Sequence, residues 1–535
     1  MSNNNNKFLK GAAILGIAGV LVKIIGAVFR IPLTNWIGDE GMSFYGCAYP
    51  IYSFFLVIST AGIPVAISKM VAERVSIKNY AGAHKVFKVS IKLLSAIGLC
   101  SFLLCYFGAD FIAGTIQNNP EAASSIRAIS PALLFVPILS AFRGYFQGRQ
   151  NMNPTAVSEI TEQSVRAAVG LTLAFSFMSV GLSEAAAGAT FGASAGSFAS
   201  MVVIILIYLL NRKTIHRKIS RGISEIEDTS VILKKILVIA IPITLGAAIM
   251  PIMNTIDSVV VMGRLEDTGW THEQAKSLFG QLSGYCSSLI GLPQIFTQAV
   301  AVSLVPAISG AYLAGEKKDL QDNIKLGLRF TMLIGFPCAV GLFVMAEPIL
   351  LMLFSSRPAE ASASASTLMV MAVGIVFLAS VQTVTGALQG VGKQSIPVRN
   401  LAIGAVFKLI FTYICVGIPA INVKGAAIGT IAAYVVAMVL DLMAVRKYTG
   451  TKFDMKQTYM IPAISAGLMG VATFAAYRLF YMITDSNSIS TMMAICMAVV
   501  VYGVLILLLK GITKEELLKF PKGDKLVRIL GRFMR

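Results

Sequence analysis

The sequence predicts an all-α integral membrane protein, and three observations predict it. Of 535 residues, 56% are hydrophobic and 13% charged, where a soluble chain carries about a quarter charged residues. Apolar runs long enough to cross a bilayer core, roughly 20 residues each, recur from one end to the other. Lysine and arginine are concentrated in alternate loops. A soluble multidomain architecture is excluded by the first two observations alone.

The apolar segments fall near 9–36, 44–68, 86–113, 126–147, 155–180, 185–211, 235–263, 277–312, 326–355, 363–390, 398–418, 424–445, 457–481 and 489–510, about fourteen in all. One set of loops holds Lys69, Arg74, Lys78 and Lys85, then Arg149, then Arg212, Lys213, Arg217, Lys218 and Arg221. The same set continues with Lys317 and Lys318, Lys393, Arg446, Lys447, Lys452 and Lys456, and the basic tail. On the other side 109–123, 179–186 and 482–489 have no lysine or arginine, and Arg264, Lys276 and Arg357 are the exceptions. The positive-inside rule then puts both termini in the cytoplasm of a chain in the cytoplasmic membrane, with an even number of crossings. Trp36 and Trp270 fall at outer ends, where an aromatic belt belongs.

A net charge of +19 would suggest nucleic acid in a soluble domain. Here anionic headgroups account for it, so membrane lipids are the expected partners and nucleic acid is not. Lys7 and Lys10 precede a long apolar run without a small-x-small cleavage site, which reads as a retained first helix. The seven cysteines sit in apolar segments without C-x-x-C and read as small hydrophobes, not as disulfides or a metal site.

The halves echo each other. Pro64–Ser68 (PVAIS) is matched by Pro306–Ser309 (PAIS), Gly144-Tyr-Phe-Gln-Gly148 by Gly386-Ala-Leu-Gln-Gly390, and Gly188-Ala-Thr-Phe-Gly192 by Gly425-Ala-Ala-Ile-Gly429. Three matches in one order at nearly one separation point to a duplicated six-helix unit in parallel orientation. The expected organisation is an N-terminal lobe over 1–221, a C-terminal lobe over 222–450, two further helices over 451–510 that could groove a lipid tail, and a basic cytoplasmic tail over 511–535.

Ionisable residues inside a membrane cost roughly 2.5–3.5 kcal/mol each, so each wants a reason. Lys23 and Arg30 lie seven residues apart, on one face of the first segment. Arg30 can snorkel outward, whereas Lys23, deeper in the segment, is read as a cavity cation. Glu159, Glu162 and Arg166 share a face of the fifth segment, and Glu162 with Arg166 is a candidate internal ion pair. Carrying Arg166 forward by the separation of the glycine motifs gives Lys408, a second cation at matching depth. In the seventh segment Asn254 and Asp257 follow Pro251. Carbonyls freed by the proline make Asp257 a candidate Na⁺ or proton site; pairing with a membrane cation is the alternative. Gln281, Gln294, Gln298, Gln382 and Gln389 read as interhelical glue.

Enzyme signatures are missing. His84, His216 and His272 are scattered over loops, there is no G-x-x-x-x-G-K-[ST], and Asp39-Glu40 is a weak candidate for Mg²⁺. Neither zinc, a histidine triad nor a P-loop can be drawn. No cofactor is expected beyond a coupling Na⁺ or proton, and the chain reads as a monomeric transporter, not an enzyme.

Arg143-Gly-Tyr-Phe-Gln-Gly-Arg-Gln-Asn-Met-Asn-Pro154, Gly62-Ile-Pro-Val-Ala-Ile-Ser-Lys69 and Phe8-Leu-Lys-Gly11 resemble the polysaccharide biosynthesis and stage V sporulation protein B group. That group is similar to the MurJ-type lipid II flippases of the multidrug/oligosaccharidyl-lipid/polysaccharide exporter superfamily. The resemblance runs over essentially the whole chain. It implies fourteen helices, two pseudo-symmetric six-helix lobes plus two C-terminal helices, and alternating access carrying an undecaprenyl-pyrophosphate-linked saccharide outward. Lys23, Gly26 and Arg30 fit the first-helix motif with one extra residue, and Ile31 stands where that motif has aspartate. Arginines the motif has in helices two and eight fall near Phe54 to Leu56 and at Ser287-Ser288, where this chain has none.

Pyrophosphate in hydrocarbon needs its charge compensated, and lysine and arginine are the side chains that do it. Lys23, Arg30, Arg166 and Lys408 are therefore the expected substrate-binding cations. Glu159, Glu162, Asn254 and Asp257 are the other polar groups of the cavity. A cation-coupled multidrug antiporter and a membrane glycan polymerase or ligase are the alternative readings.

Overall fold

The structure is a computed structural model that describes residues 2–221, 226–509 and 511. Most of the expected basic tail, and residues 222–225 at the start of the expected C-terminal lobe, lie outside the described residues. Among the described residues every regular element is a helix. In chain order these are α1 (Ser2–Thr60), α2 (Ile63–Ser76), α3 (Tyr80–Phe107), α4 (Ala109–Phe111), α5 (Ala123–Ile129), α6 (Ala132–Gly148), α7 (Asn153–Phe177), α8 (Leu182–Arg221) and α9 (Thr229–Asp267). They continue with α10 (His272–Gly280), α11 (Ser287–Leu313), α12 (Lys317–Val344), α13 (Ala346–Leu353), α14 (Pro358–Gly390), α15 (Ser395–Val416), α16 (Lys424–Thr449), α17 (Ile461–Thr484) and α18 (Asn487–Leu508).

Twelve helical stretches among the described residues are long and apolar enough to cross a membrane. The apolar segments of the sequence differ from that number at two places. The first two segments lie in one stretch, Leu21–Ser76, because α1 continues through a bend at Gly38 (φ 65°, ψ −166°). The fifth segment is α7, whose Glu159, Glu162, Gln163 and Arg166, with its serines and threonines, lower its hydropathy.

Local chemistry sets the helix ends. Asn79 caps α3, its Oδ1 accepting the Gly82 N–H at 2.8 Å, and satisfies one of the orphan donors of a first turn. Proline lies in the first turn of α2, α7, α14 and α17, where its missing N–H costs nothing. Thr271 and Gln274 form a capping box that opens α10. Gly450, at φ 69°, ends α16 in a left-handed cap.

Packing divides the chain into two compact units, Met1–Gly284 and Tyr285–Arg535. The first has a core of Ile67, Val86, Phe87, Phe142, Tyr145 and Ile236. The second has a core of Ile308, Leu328, Met332, Val384, Leu388 and Val445.

Each unit contains two comparable close approaches, although Gly386 meets Ala301 and not Pro306, the counterpart of Pro64. A Cβ on Gly144 would stand 2.8 Å from the Pro64 carbonyl oxygen, and one on Gly386 would stand 2.6 Å from that of Ala301. These are the helices bearing the paired GxxxG motifs and the PVAIS and PAIS runs. A Cβ on Gly192 would lie 2.6 Å from the Arg166 carbonyl oxygen, and one on Gly429 would lie 2.9 Å from that of Lys408. Small residues let helix backbones touch where the membrane offers no hydrophobic drive for association. The same seam thus brings Arg166 and Lys408 to matching places, α7 on α8 in one unit and α15 on α16 in the other.

Candidate functional site

The first unit gathers charge around the aromatic side chains of α1. Tyr45 and Tyr49 are one turn apart, with stacked rings 5.7 Å apart and 8° from parallel. Arg166 of α7 donates from Nη2 to the Tyr45 hydroxyl at 2.8 Å and from Nη1 to the Tyr49 hydroxyl at 2.9 Å. Its guanidinium also lies over the Tyr49 ring at 4.8 Å and the Phe29 ring at 6.0 Å. Arg30 approaches the Tyr45 ring from the other half of α1, at 5.7 Å. Cation–π contacts of this kind hold a guanidinium without neutralising it.

The acids of α7 do not neutralise these cations. Glu162 Oε2 accepts from Arg143 Nη2 at 2.9 Å, and Arg143 also donates to Ser158 and Ser200. Ser197 reaches the other Glu162 oxygen at 3.5 Å. Glu159, one turn earlier and half-buried, lies in the field of Arg143 and Glu162. Among the described residues neither Arg30 nor Arg166 forms an ion pair. A half-buried guanidinium held by phenols and ring faces keeps its positive charge, and arginine is a side chain suited to compensate a phosphate.

The remaining expected residues are not brought into this cluster. Lys23, two turns before Arg30 on α1, is exposed. Lys408 belongs to the second unit and is 2% exposed on α15. Asn254 is exposed on α9 and Asp257 half-buried, beside Ser258, which accepts from Gln117 at 3.1 Å. Asp39 and Glu40 have other work. Glu40 shares the buried Lys276 with Glu121, and Asp39 accepts from Ser277 and Gln281. Among the described residues no group of three or more His, Cys, Asp or Glu could hold a metal.

Outside the membrane spans, Glu227 receives Lys235 at 2.8 Å and pairs with Arg74. The hydrogen bond from Lys235, with the charge of Arg74 behind it, holds this carboxyl below the usual carboxylate range.

Sequence reasoning missed Tyr45, Tyr49 and Arg143 as site residues. The signal for Arg143 was present, since it opens the RGYFQG motif. The tyrosines recur at helical spacing in an aromatic-rich segment and look like ordinary core.

Comparison with known proteins adds a family frame. Residues 8–312 match the family model described as polysaccharide biosynthesis protein, and residues 283–414 match the MatE model. An uncharacterized membrane protein, YabM, of Bacillus subtilis (strain 168) is 30% identical over 98% of this chain and 96% of its own. Stage V sporulation protein B of the same organism is 26% identical over 97% and 99%. Its lipid II flippase MurJ is 28% identical over 88% of each chain. Among solved structures, an inward-facing MATE family multidrug transporter superposes with a TM-score of 0.68 at 15% identity, over 80% of this chain and 96% of that one. The lipid II flippase MurJ in an inward closed conformation superposes with a TM-score of 0.64 at 15% identity, over 91% and 97%.

Proposed function

The chain belongs to the polysaccharide biosynthesis protein family, and from that premise we propose that it is a membrane transporter that flips a lipid-linked saccharide across the cytoplasmic membrane. The proposed cargo is an undecaprenyl-pyrophosphate-linked sugar, lipid II or a related precursor of wall or surface polysaccharide. One observation carries the reading: Arg30 and Arg166 converge on Tyr45 while the nearby carboxylate of Glu162 is committed to Arg143. Positive charge with neutral partners suits a pyrophosphate, which needs compensation in a low-dielectric setting. An organic-cation transporter would line such a place with carboxylates.

Lys23 in the first unit and Lys408 in the second are proposed as further cargo-facing cations, each within its own unit. Asp257, beside Pro251, is the proposed coupling site of the first unit for Na⁺ or a proton. The loop charges support insertion with both termini in the cytoplasm.

The decisive experiment is depletion of the protein in its own cell, followed by measurement of lipid-linked saccharides on the cytoplasmic leaflet. Build-up of one such precursor supports the proposal. Unchanged precursor pools with restored efflux in a pump-deficient strain would make the protein a cation-coupled multidrug antiporter. Elongation of glycan chains by the purified protein in liposomes would make it a polymerase or ligase.

A further inference from the structure

In the second unit α15 and α16 meet along a buried stripe of every fourth residue, Asn400, Gly404, Lys408 and Thr412 on one helix and Gly429, Ala433, Ala437 and Asp441 on the other. Two polar side chains face each other at one end. Asn400 is 1% exposed and Asp441 0%, and Asn400 Nδ2 donates to Asp441 Oδ1 at 2.8 Å. Arg399 Nη2 donates to Asn400 Oδ1 at 3.4 Å, which orients the amide so that its N–H faces the carboxyl. Asp441 Oδ2 is buried and has no hydrogen-bond partner among the described residues. Both helices are long and apolar enough to cross a membrane.

On α16 itself Arg446 and Lys447, both exposed, follow Asp441 by five and six residues, and few other charged groups are available to this carboxyl. On α15 they are Arg399, engaged with Asn400, and Lys408, two turns further on. On α14, which also packs on α16, the one ionisable residue is Glu360, held by Tyr285 and Arg357. Glu360 lies near the start of α14, whereas Asp441 is roughly 25 Å along the parallel α16 at 1.5 Å per residue. On α12, Arg329 is bonded to Gln457 and to the Gly511 carbonyl, and Lys325 lies beside Asp322.

An ionised carboxylate with one amide donor and one bare oxygen is poorly compensated away from water, and neutralisation by a proton is the usual resolution. A metal cation would need several converging oxygens, and here an N–H is turned toward the carboxyl. We propose that Asp441, positioned by Asn400, is a proton-binding site of the second unit: the carboxyl holds a proton while the α15–α16 seam is closed and releases it when water reaches Oδ2. The site goes beyond the flippase reading and needs no substrate to be detected.

Infrared difference spectroscopy of the purified full chain in liposomes tests it. At neutral pH the wild type is expected to show a protonated-carboxyl C=O band that is absent in Asp441→Asn and retained in Asp257→Asn. The band should be unchanged when choline replaces Na⁺ and should disappear as pH is raised. An Asp441→Asn spectrum that keeps every protonated-carboxyl signal would overturn the proposal, and so would a wild-type band abolished by Na⁺. If Asp441→Asn fails to fold, Asp441→Glu decides instead: a shifted acid band supports the site, and an unshifted one removes it. Neither outcome touches the flippase reading, since no cargo is present.

Discussion

Glu162 and Arg166 stand one helical turn apart on α7 and do not pair. Such i, i+4 neighbours normally attract each other, but Glu162 turns to Arg143 on α6 and Arg166 turns to the tyrosines of α1. The result is one neutralised pair beside one uncompensated cation, built from a single helix face.

Removing that cation is the sharpest test of the site. Hydrogen bonds to charged groups are worth about 1.5–3 kcal/mol, so Arg166→Gln should weaken headgroup binding on the order of ten- to a hundredfold. Tyr45→Phe keeps the ring under Arg30 and loses only one hydroxyl, so its effect should be smaller. Binding of a pyrophosphate-bearing lipid to purified variants measures both. Equal effects from the two substitutions would argue that the pocket merely loses packing.

Lys23→Met and Arg30→Met together should abolish complementation of a depleted strain while the protein still reaches the membrane. Arg30 already contacts Tyr45, so Arg30→Met alone should carry most of the loss. Unchanged growth of the double variant would remove both residues from the proposed site.

Arg143→Met strands the mostly buried Glu162 carboxylate. Breaking one half of a buried pair costs about 3–5 kcal/mol, so the variant should melt markedly earlier in detergent. Arg143→Met with Glu162→Gln removes both charges and should recover most of the stability. A double variant no better than the single would show that the serines around Arg143, not the ion pair, set its value.

Gly192→Ala and Gly429→Ala probe the matching seams. Each added methyl meets the carbonyl oxygen of Arg166 or Lys408, and overpacking of this kind costs about 1–3 kcal/mol. Both variants should lose thermal stability by similar amounts, measured by unfolding in detergent. A harmless Gly429→Ala beside a damaging Gly192→Ala would show that the two units are not built alike.

Glu227 predicts a pH dependence outside the membrane. Its carboxyl is held low in the folded chain by Lys235 and Arg74, so its stabilising contribution is present above the carboxylate value of the unfolded chain. It fades as pH falls through the lower, folded value. Glu227→Gln should therefore lose stability relative to wild type at neutral pH, with the two curves converging in acid. A gap that widens in acid would reverse the assignment.

Much of the helical architecture was legible because length and hydropathy are enough to mark a membrane span. The close helix contacts were legible through Gly144, Gly386, Gly192 and Gly429, residues whose smallness serves an approach of backbones in each unit. The cluster itself was half visible. Arg30 and Arg166 stood out as charges in apolar surroundings, but nothing in the sequence ties Arg166 to Tyr45 and Tyr49, more than a hundred residues away. The Glu162 partner was misjudged for a related reason: sequence proximity favoured Arg166, and tertiary packing supplied Arg143. The Asn400–Asp441 pair was silent because one acid near a loop reads as a surface residue until burial is known.

Gly38 divides this cluster in a mechanical sense. Phe29 and Arg30 precede it and Tyr45 and Tyr49 follow it, all on α1, and its φ of 65° with ψ of −166° lies in a region essentially reserved for glycine. The aromatic floor and one of its cations therefore ride on separate arms of one lever, with the fulcrum at a residue lacking a side chain. Any rotation at that pivot alters the reach from Arg30 to Tyr45, so the spacing of the proposed anion site and the shape of α1 are a single degree of freedom.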